Sequence, residues 1–301
     1  MGKRRMTDNT NNPTPTKSRR LVIVTGDKGG VGKSTFSRAM IQTYLDNNQN
    51  FAAFDADMSN PQIKRFYEEE CTVMPLDIFR RGEADISLLD ELKNLIDPPE
   101  KDTIKSPNKN VSESSNPDLT NSPDKDAQPV AFVSKSLFLL ELPPQSIQFF
   151  RSFEEEMGFF KMVGKKLDMR VTMATVINRT KDSVNQFIHL RDFCGDKVDY
   201  VVVKNLFFGE KDRFERYDNY PLVKELQNLN KSIPEIYMPD LIAHAYDYLD
   251  ENNLSFSKGI EQSQKLSVQG RVEKWMENFK KSIEPAKHLL GLADVNLQSE
   301  S

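Results

Sequence analysis

A glycine-rich stretch with two lysines spans Gly26–Thr35 and is spelled Gly-Asp-Lys-Gly-Gly-Val-Gly-Lys-Ser-Thr. It follows the apolar run 21–24 and leads into a helical pattern, so it lies between a predicted strand and a predicted helix. In that setting backbone N–H groups surround an anion, and the helix N-terminus adds positive partial charge. Lys33 then reaches the β- and γ-phosphates of a nucleotide, and the Ser34 hydroxyl can ligate Mg²⁺. The stretch therefore predicts a phosphate-binding loop (P-loop).

This loop departs from the common P-loop pattern in two positions. Asp27 stands where the common pattern has glycine, and an extra lysine, Lys28, precedes Gly29. The stretch matches Lys-Gly-Gly-x-Gly-Lys-[Ser/Thr]-Thr, and on these residues the chain resembles the ParA/MinD group of ATPases. The resemblance implies an α/β P-loop NTPase domain of three layers, with a mostly parallel sheet flanked by helices, that binds ATP and Mg²⁺. The nucleotide-binding residues that it implies here are Gly29, Gly30, Val31, Gly32, Lys33, Ser34 and Thr35.

The resemblance also implies a catalytic role for both lysines and for Asp57, the second residue of an aspartate pair. In that group ATP closes a sandwich homodimer, so Lys28 would reach the partner's nucleotide while Lys33 serves its own. The predicted strand 51–54 ends in Asp55-Ala56-Asp57. By resemblance Asp57 helps to position the attacking water, and Asp55 lies near Mg²⁺ or supports the P-loop. A solvated turn rich in Asp and Asn is the structural alternative.

A second acidic position follows the predicted strand 137–140. The family motif is four apolar residues, an acid, one further residue and proline, and here it is Leu137-Phe138-Leu139-Leu140-Glu141-Leu142-Pro143. The resemblance implies that this acid holds a water molecule on Mg²⁺. The family normally has aspartate at this position. The extra methylene of Glu141 shifts the carboxylate by about 1.5 Å, and Mg²⁺ demands near-ideal octahedral geometry. Slow hydrolysis, or compensation by the following loop, is the expected consequence.

Two strand ends are candidates for contact with the nucleotide base. The predicted strand 198–203 ends at Lys204-Asn205, which corresponds by element order to the family's strand whose Asn bonds adenine. Asn178-Arg179, one strand earlier, is the runner-up, and a polar strand-end cap is the alternative for both. Pro239 lies in the loop that the resemblance places beside the base. These weak matches leave ATP and GTP both open.

Composition and polarity divide the 301 residues into one domain with polar additions. Residues 20–97 and 129–291 are expected to form a single domain, interrupted by a disordered insertion at 98–128 that is rich in Pro, Ser, Asn and Asp. Residues 1–19 form a disordered basic tail and 292–301 a second tail. A helix is predicted at 145–157, and the charged stretch 209–220 is predicted to be a solvated helix.

Charge and cysteine usage bear on location and partners. The net charge is −4, yet residues 1–20 hold six basic side chains against Asp8. The tail is either a solubilising segment or a non-specific contact to DNA or an acidic membrane surface. Two cysteines and no apolar run near the length of a membrane span favour a cytoplasmic protein. The final helix, predicted at 267–282, has an apolar stripe with Trp275, and packing on the domain is favoured over lying on a membrane.

The favoured function is therefore a ParA/MinD-like ATP-dependent dimeric switch in partition or positioning of plasmid, mobile DNA or other cargo, with a possible adaptor protein. The alternative is a nucleotide-gated accessory protein of conjugation or DNA transfer with little turnover, which Glu141 and the insertion favour. A small-molecule kinase or ligase would need a substrate pocket with its own anchoring residues, and the sequence indicates none.

Overall fold

The computed structural model describes residues 19–26, 29–77, 87–97 and 134–292. The strands in these ranges are β1 (Arg19–Thr25), β2 (Phe51–Asp55), β3 (Val73–Pro75), β4 (Leu137–Glu141), β5 (Met169–Ile177), β6 (Asp199–Asn205) and β7 (Glu235–Met238). The helices are α1 (Lys33–Asp46), α2 (Gln62–Tyr67), α3 (Ser87–Ile96), α4 (Ile147–Met157), α5 (Phe159–Lys166), α6 (Lys181–Cys194), α7 (Glu215–Asp218), α8 (Pro221–Asn228), α9 (Ala243–Glu251), α10 (Phe256–Glu261) and α11 (Leu266–Ile283).

The strands of the described residues form one parallel sheet in the order β3-β2-β4-β1-β5-β6-β7. In the register of β1, Val24 lies beside Glu141 of β4 and beside Ala174 of β5. β2 borders the other side of β4, where Asp55 lies beside Glu141. Because all strands run in one direction, the loops after β1, β2, β4, β6 and β7 meet at a single edge. The α/β P-loop architecture expected from the sequence is confirmed.

Helices cover both faces of the sheet, and each face has its own apolar core. Side chains alternate along β1, so that Leu21 and Ile23 belong to one core, and Val22 and Val24 to the other. The first core also takes buried residues of α3 to α8, and the second those of α1, α2 and α9 to α11. Continuous burial along the central strands fits a parallel sheet that is covered on both faces.

The helix predicted at 145–157 begins later than expected and is followed by a second helix. α4 starts at Ile147, and α5 follows it after a single residue, Gly158. Gly158 has φ 63° and ψ 52°, the left-handed conformation that ends helices and favours glycine. Phe150 and Phe153 are buried, which confirms that their side of α4 is a core face.

The charged stretch 209–220 is not the solvated helix that alternation of charge predicts. It forms a 3₁₀ turn at Lys211–Phe214 and then the single turn of α7. Phe214 and Tyr217 are buried in the core. The carboxylate of Asp218 accepts a 2.6 Å hydrogen bond from the Nζ of buried Lys204. The prediction was wrong because two aromatic residues three positions apart outweigh the charges around them.

The final helix packs on the domain, as favoured. The stripe of α11 is buried and consists of Val268, Val272, Trp275, Met276, Phe279 and Ile283. Trp275 stacks between Phe256 and Phe279, with ring centroids 5.0 and 5.5 Å apart. The stripe is therefore occupied by the domain and does not face a membrane surface. None of the helices that the structure describes is both long and apolar enough to cross a membrane.

Three predicted segments fall outside the described residues: positions 1–18 of the basic tail, the insertion 98–128, and residues 293–301. Arg19 opens β1 instead of ending the tail, and its Nη1 donates a 3.2 Å hydrogen bond to the carbonyl of Leu167. Both cysteines are free thiols, with Cys194 buried and Cys71 partly buried.

Candidate functional site

The P-loop joins the end of β1 to the start of α1 and is packed closely on its surroundings. A Cβ atom on Gly26 would approach the carbonyl oxygen of Val176 to 2.7 Å, so a side chain does not fit there. Gly32 has φ 104°, and a Cβ atom at this position would collide with the side-chain amide of Asn205. α1 begins at the next residue, Lys33, so the loop leads directly into a helix N-terminus with its positive partial charge. The loop can therefore present backbone N–H groups to an anion.

A cavity of about 670 Å³ opens at the P-loop on the carboxyl edge of the sheet, a volume typical of small-ligand sites. Its walls come from the P-loop and α1, from the loops after β2 and β4, from the turn after β6, and from the segment between β7 and α9. The lining residues are Gly29, Gly30, Gly32, Lys33, Ser34, Thr35, Asp57, Ser59, Asn60, Gln62, Pro144, Asn205, Phe207, Met238, Pro239, Asp240, Leu241, Ala243, Tyr246 and Asp247.

Most of the residues singled out from the sequence thus share one cavity, although they come from distant parts of the chain. Val31 is buried behind the loop, and Asp55 and Glu141 are buried beneath the cavity lining. Lys28 and the preceding Asp27 lie outside the described residues, so the role of Lys28 stays a prediction.

Ser34 and Glu141 are directly hydrogen-bonded. The Ser34 hydroxyl donates to Oε1 of Glu141 over 2.5 Å, which joins the first turn of α1 to the end of β4. Glu141 is only 1% exposed, and its other oxygen, Oε2, has no hydrogen-bond partner among the described residues. The long side chain of glutamate therefore spans the gap to Ser34 without an intervening group.

The environment of Glu141 makes its carboxyl group harder to ionise than that of an exposed glutamate. Burial, and to a smaller extent the neighbouring carboxylate of Asp55, raises the pKa of Glu141 to about 7. The hydrogen bond from Ser34 and the positive charge of Lys33 oppose this rise. Lys33 itself is buried, with 6% of its surface exposed, although it lines the cavity.

The two aspartates after β2 have different surroundings. Asp55 is 1% exposed, and its two oxygens accept the N–H groups of Asp57 at 3.3 Å and of Lys64 at 3.1 Å. It therefore supports the segment between β2 and α2 and does not line the cavity. Asp57 does line it and is partly buried. Its Oδ1 accepts hydrogen bonds from the Ser59 hydroxyl and from the N–H of Asn60.

The residues around Ser34 fit a Mg²⁺ ion. Because Ser34 donates its proton to Glu141, the lone pairs of its oxygen remain for a cation. Hard oxygen donors of this kind suit Mg²⁺, which usually takes one or two protein ligands and completes its octahedron with phosphate oxygens and water. Ser34 would hold the ion directly and Glu141 would act through Ser34 or a water. Asp55 accepts backbone N–H groups and would support such a site through the loop that it holds.

Asn205 connects the end of β6 to the P-loop. Its Nδ2 donates a 2.9 Å hydrogen bond to the carbonyl of Val31, and its Oδ1 accepts the N–H of Phe207 at 3.0 Å. With 6% exposure, the amide has half of its hydrogen-bonding capacity committed inside the protein. The runner-up, Asn178, does not line the cavity. Its Oδ1 accepts from the backbone and the hydroxyl of Thr180, as in a strand-end cap.

Apolar residues line the cavity at the end of β7 and just after it, and a residue of α11 holds this wall in place. Pro239 follows β7 and lines the cavity together with Met238 and Leu241. The indole Nε1 of Trp275 donates a 2.9 Å hydrogen bond to the carbonyl of Pro239. The aromatic stack of α11 therefore fixes the position of this wall.

Known proteins resemble the chain at low sequence identity. No protein-family model matches the chain. Over 270 residues it is 22% identical to Protein MobD of Acidithiobacillus ferrooxidans, covering 89% of this chain and 98% of that protein. Its structure is similar to the MinD cell division protein of Aquifex aeolicus, with TM-score 0.40, 14% identity and coverage of 87% and 97%. A plasmid partition protein from Borrelia burgdorferi gives TM-score 0.37, 14% identity and coverage of 88% and 99%.

Three features of the chain itself indicate what kind of protein it is. They are a parallel sheet with β1 at its centre, a P-loop between β1 and α1, and the Lys-Gly-Gly-x-Gly-Lys motif. The chain is ParA/MinD-like in fold and in loop sequence. The ParA/MinD-like fold accounts for the order in which Lys33, Asp57, Glu141 and Asn205 appear along the chain. Its parallel strands bring these residues to one edge of the sheet.

The ParA/MinD-like pattern did not point to every residue of the cavity wall. Phe207 and the α9 residues Tyr246 and Asp247 line the cavity but were not predicted. The sequence holds a signal for Phe207, because it is an aromatic residue two positions after a strand-end Asn and therefore near the same edge. Tyr246 and Asp247 carry no such signal, since only the packing of α9 brings them to the P-loop.

Proposed function

We propose that the chain is an ATPase that uses ATP and Mg²⁺ to close a sandwich homodimer and reopens it on hydrolysis. The cycle would position or segregate cargo such as a plasmid or other mobile DNA. The observation that carries the proposal is the single cavity whose walls combine the P-loop, Lys33, Ser34 and Asp57. A phosphate-binding loop, a buried cation and a carboxylate beside it are the parts that phosphoryl transfer requires.

In the proposed reaction a water attacks the γ-phosphorus, and the bond to the bridging oxygen of the β-phosphate breaks, which gives ADP and phosphate. Lys33 holds the β- and γ-phosphates, and Ser34 offers its oxygen to Mg²⁺, which when bound neutralises charge on those phosphates. Asp57 orients the attacking water: the hydrogen bonds that the structure gives it from Ser59 and Asn60 both go to Oδ1, which leaves Oδ2 to accept from the water.

Phosphate release with ATP and Mg²⁺ tests the chemistry. We expect Lys33→Ala and Asp57→Ala each to lower kcat by roughly 10²-fold or more, because each removes a group that acts on the transition state. Lys64→Ala is the matched control, since Lys64 is half-exposed on α2 and does not line the cavity. Equal rates for Lys33→Ala and the control would contradict the proposal.

The dimer is a separate part of the proposal and depends on Lys28. A cation supplied in trans to phosphoryl transfer is worth roughly 10³–10⁵ in rate. Lys28→Ala should still bind ATP but fail to dimerise and to hydrolyse it. Light scattering after size exclusion, with and without ATP, measures this directly. A Lys28→Ala chain that dimerises normally with ATP removes Lys28 from the mechanism.

Glu141 favours a second candidate function, a nucleotide-gated accessory protein of DNA transfer with little turnover. Its carboxylate bonds directly to the hydroxyl of Ser34, where the resemblance implies a shorter aspartate and a water. A single-turnover ATPase assay with and without DNA separates the two candidates. Fast conversion of the bound ATP to ADP supports the ATPase cycle, and retained ATP supports the gated module.

DNA contact is assigned in this proposal to the basic tail. Deletion of residues 2–18 removes four of the six basic residues near the N-terminus and keeps Arg19 and Arg20, which belong to β1. Retention on DNA that is lost on deletion and that weakens with salt supports the tail as the contact. Retention that survives the deletion moves the contact to the folded domain. An adaptor protein, if one is used, would regulate the same dimer.

A further inference from the structure

We propose that Phe207 is the platform on which the nucleotide base stacks, and that the site therefore accepts adenine and guanine nucleotides with little discrimination. This inference rests on the proposed function, because it assigns the base end of the same nucleotide site. It replaces base recognition by the Asn205 amide with stacking on an aromatic ring.

The first observation is the exposure and position of Phe207. Its side chain is 66% exposed, whereas most aromatic side chains that the structure describes are buried. Phe207 nevertheless lines the cavity. Its ring meets that of Phe208 edge to face, with centroids 5.1 Å apart, and its N–H is held by Oδ1 of Asn205. An exposed ring that is fixed in place at a cavity wall is suited to stacking with a planar ligand.

The second observation is the spacing of the two ends of the cavity. Phe207 follows β6 and Pro239 follows β7, whereas Met238 and Asn205 lie against Gly32 of the P-loop. In the sheet, β6 and β7 are two and three strands from β1, which corresponds to roughly 10 and 14 Å from the P-loop strand. A nucleotide with its phosphates on the P-loop extends its ribose across this distance and brings its base to Phe207 and Pro239.

The third observation is that few hydrogen-bonding groups remain at this end. Asn205 is tied to the carbonyl of Val31 and to the N–H of Phe207, and it is nearly buried. The other polar side chains that line the cavity after β7 are the exposed carboxylates of Asp240 and Asp247 and the partly buried Tyr246. Adenine and guanine both present N–H groups that a carboxylate accepts. Strong discrimination between bases requires buried polar groups that the wrong base leaves unpaired, and among the residues that line this end Asn205 is the buried one, with half of its capacity already used inside the protein.

Stacking also predicts the order of affinity among nucleotides with different bases. The overlap with an aromatic ring grows with the size of the base, so purines stack more strongly than pyrimidines. Base–aromatic stacking is worth roughly 5- to 100-fold in affinity per base. We therefore expect ATP and GTP to bind within about tenfold of each other and CTP to bind more weakly.

The test is equilibrium binding of ATP, GTP, CTP and inorganic tripolyphosphate to the full chain in the presence of Mg²⁺. Phe207→Ala should weaken ATP and GTP roughly 5- to 100-fold and leave tripolyphosphate unchanged, because the phosphate end is untouched. Phe207→Tyr should restore binding, since it retains the ring. Leu229→Ala is the matched control: Leu229 is also a large apolar residue, is 57% exposed, and does not line the cavity.

Asn205→Ala distinguishes the two roles of the amide. If Asn205 holds the P-loop, its loss weakens tripolyphosphate together with every nucleotide and leaves the ATP to GTP ratio unchanged. If Asn205 instead selects the base, the ratio changes while tripolyphosphate binding does not, and the inference is overturned. It is also overturned if Phe207→Ala binds ATP as tightly as the wild type, or if the wild type prefers ATP over GTP more than 100-fold. A wild type that binds neither nucleotide nor tripolyphosphate refutes the proposed function itself, and this inference with it.

Discussion

The hydroxyl of Ser34 donates a 2.5 Å hydrogen bond to Oε1 of Glu141, so the first turn of α1 and the end of β4 are joined beneath the cavity. An outer partner of this kind orients the ligand oxygen of a metal site, and its loss typically costs 10- to 100-fold in metal affinity. The contact also explains how glutamate serves at a position where the resemblance implies aspartate. Its longer side chain reaches the serine directly.

The first prediction concerns Glu141→Gln, which keeps the shape of the side chain and removes its charge. We expect the Mg²⁺-dependent affinity for ATP to fall roughly 10-fold or more, because Ser34 loses its carboxylate acceptor. Affinity measured in EDTA should stay close to that of the wild type, since the P-loop holds the phosphates without Glu141. A variant whose affinity falls equally in Mg²⁺ and in EDTA would show that Glu141 serves the P-loop and not the ion.

The second prediction concerns Gly32→Ala. The backbone at this position has φ 104°, and the added methyl group would meet the amide of Asn205 and lie 3.1 Å from Cε of Met238. We expect a loss of about 1–3 kcal/mol in the free energy of unfolding and weaker nucleotide binding, because strain and collision fall on the same residue. Urea unfolding and ATP titration measure the two effects.

Gly270→Ala is the control for this substitution. Gly270 lies inside α11, and a Cβ atom there meets nothing within 4 Å. It should raise stability by about 0.5–1 kcal/mol, since alanine favours a helix interior over glycine. Equal changes in the free energy of unfolding for Gly32→Ala and Gly270→Ala would contradict the strained geometry at Gly32.

The third prediction concerns the hydrogen bond from Trp275 to the carbonyl of Pro239. Trp275→Phe retains an aromatic ring between Phe256 and Phe279 but removes the Nε1 donor. We expect a loss of about 0.5–1.5 kcal/mol in the free energy of unfolding and weaker binding of ATP, because the carbonyl of Pro239 loses its protein donor at the base end of the cavity. Tripolyphosphate binding should stay unchanged. A parallel loss for tripolyphosphate would mean that the substitution disturbs the whole domain.

Trp275 is the one tryptophan of the chain, so it also provides a spectroscopic signal. ATP should change its fluorescence because the base ends beside the loop that it holds. Tripolyphosphate, which occupies only the P-loop, should leave the emission nearly constant.

The fourth prediction concerns pH and the group formed by Asp199 with two arginines. Asp199 accepts hydrogen bonds from Arg20 at 2.7 Å and from Arg170 at 2.8 Å, which join β1, β5 and β6 at the amino edge of the sheet. Burial by itself would raise the pKa of Asp199, but the two arginines outweigh it and hold the pKa below its ordinary value. The ionised group therefore stabilises the fold above the unfolded pKa of about 3.9.

That contribution is lost as the pH falls through the lowered pKa of Asp199, because the folded protein must then take up a proton that breaks its ion pairs. Asp199→Asn should lower the free energy of unfolding by about 1–2 kcal/mol at pH 7. The difference between wild type and variant should shrink below pH 4. Urea unfolding at several pH values measures it, and a difference that does not depend on pH would assign the effect to packing instead of charge.

The sequence alone determined the phosphate-binding loop, the P-loop architecture and the positions of the acids that follow β2 and β4. These features are local: glycines in a strand-to-helix turn, apolar runs of strand length, and polar residues directly after them. Since parallel strands place their carboxyl ends at one edge, the order of the motifs was enough to predict that Lys33, Ser34, Asp57 and Asn205 would lie together.

Only the tertiary structure decided what each of these groups contacts. Asp55 accepts a backbone N–H group, Asn205 donates to the carbonyl of Val31, and Glu141 accepts from Ser34. Each of these hydrogen bonds joins residues that are far apart in the chain or lie on opposite sides of a loop. Phe207 and the α9 residues reach the cavity for the same reason. Pattern and spacing fix which edge of the sheet a residue faces, whereas side-chain partners depend on the packing of elements that no local pattern specifies.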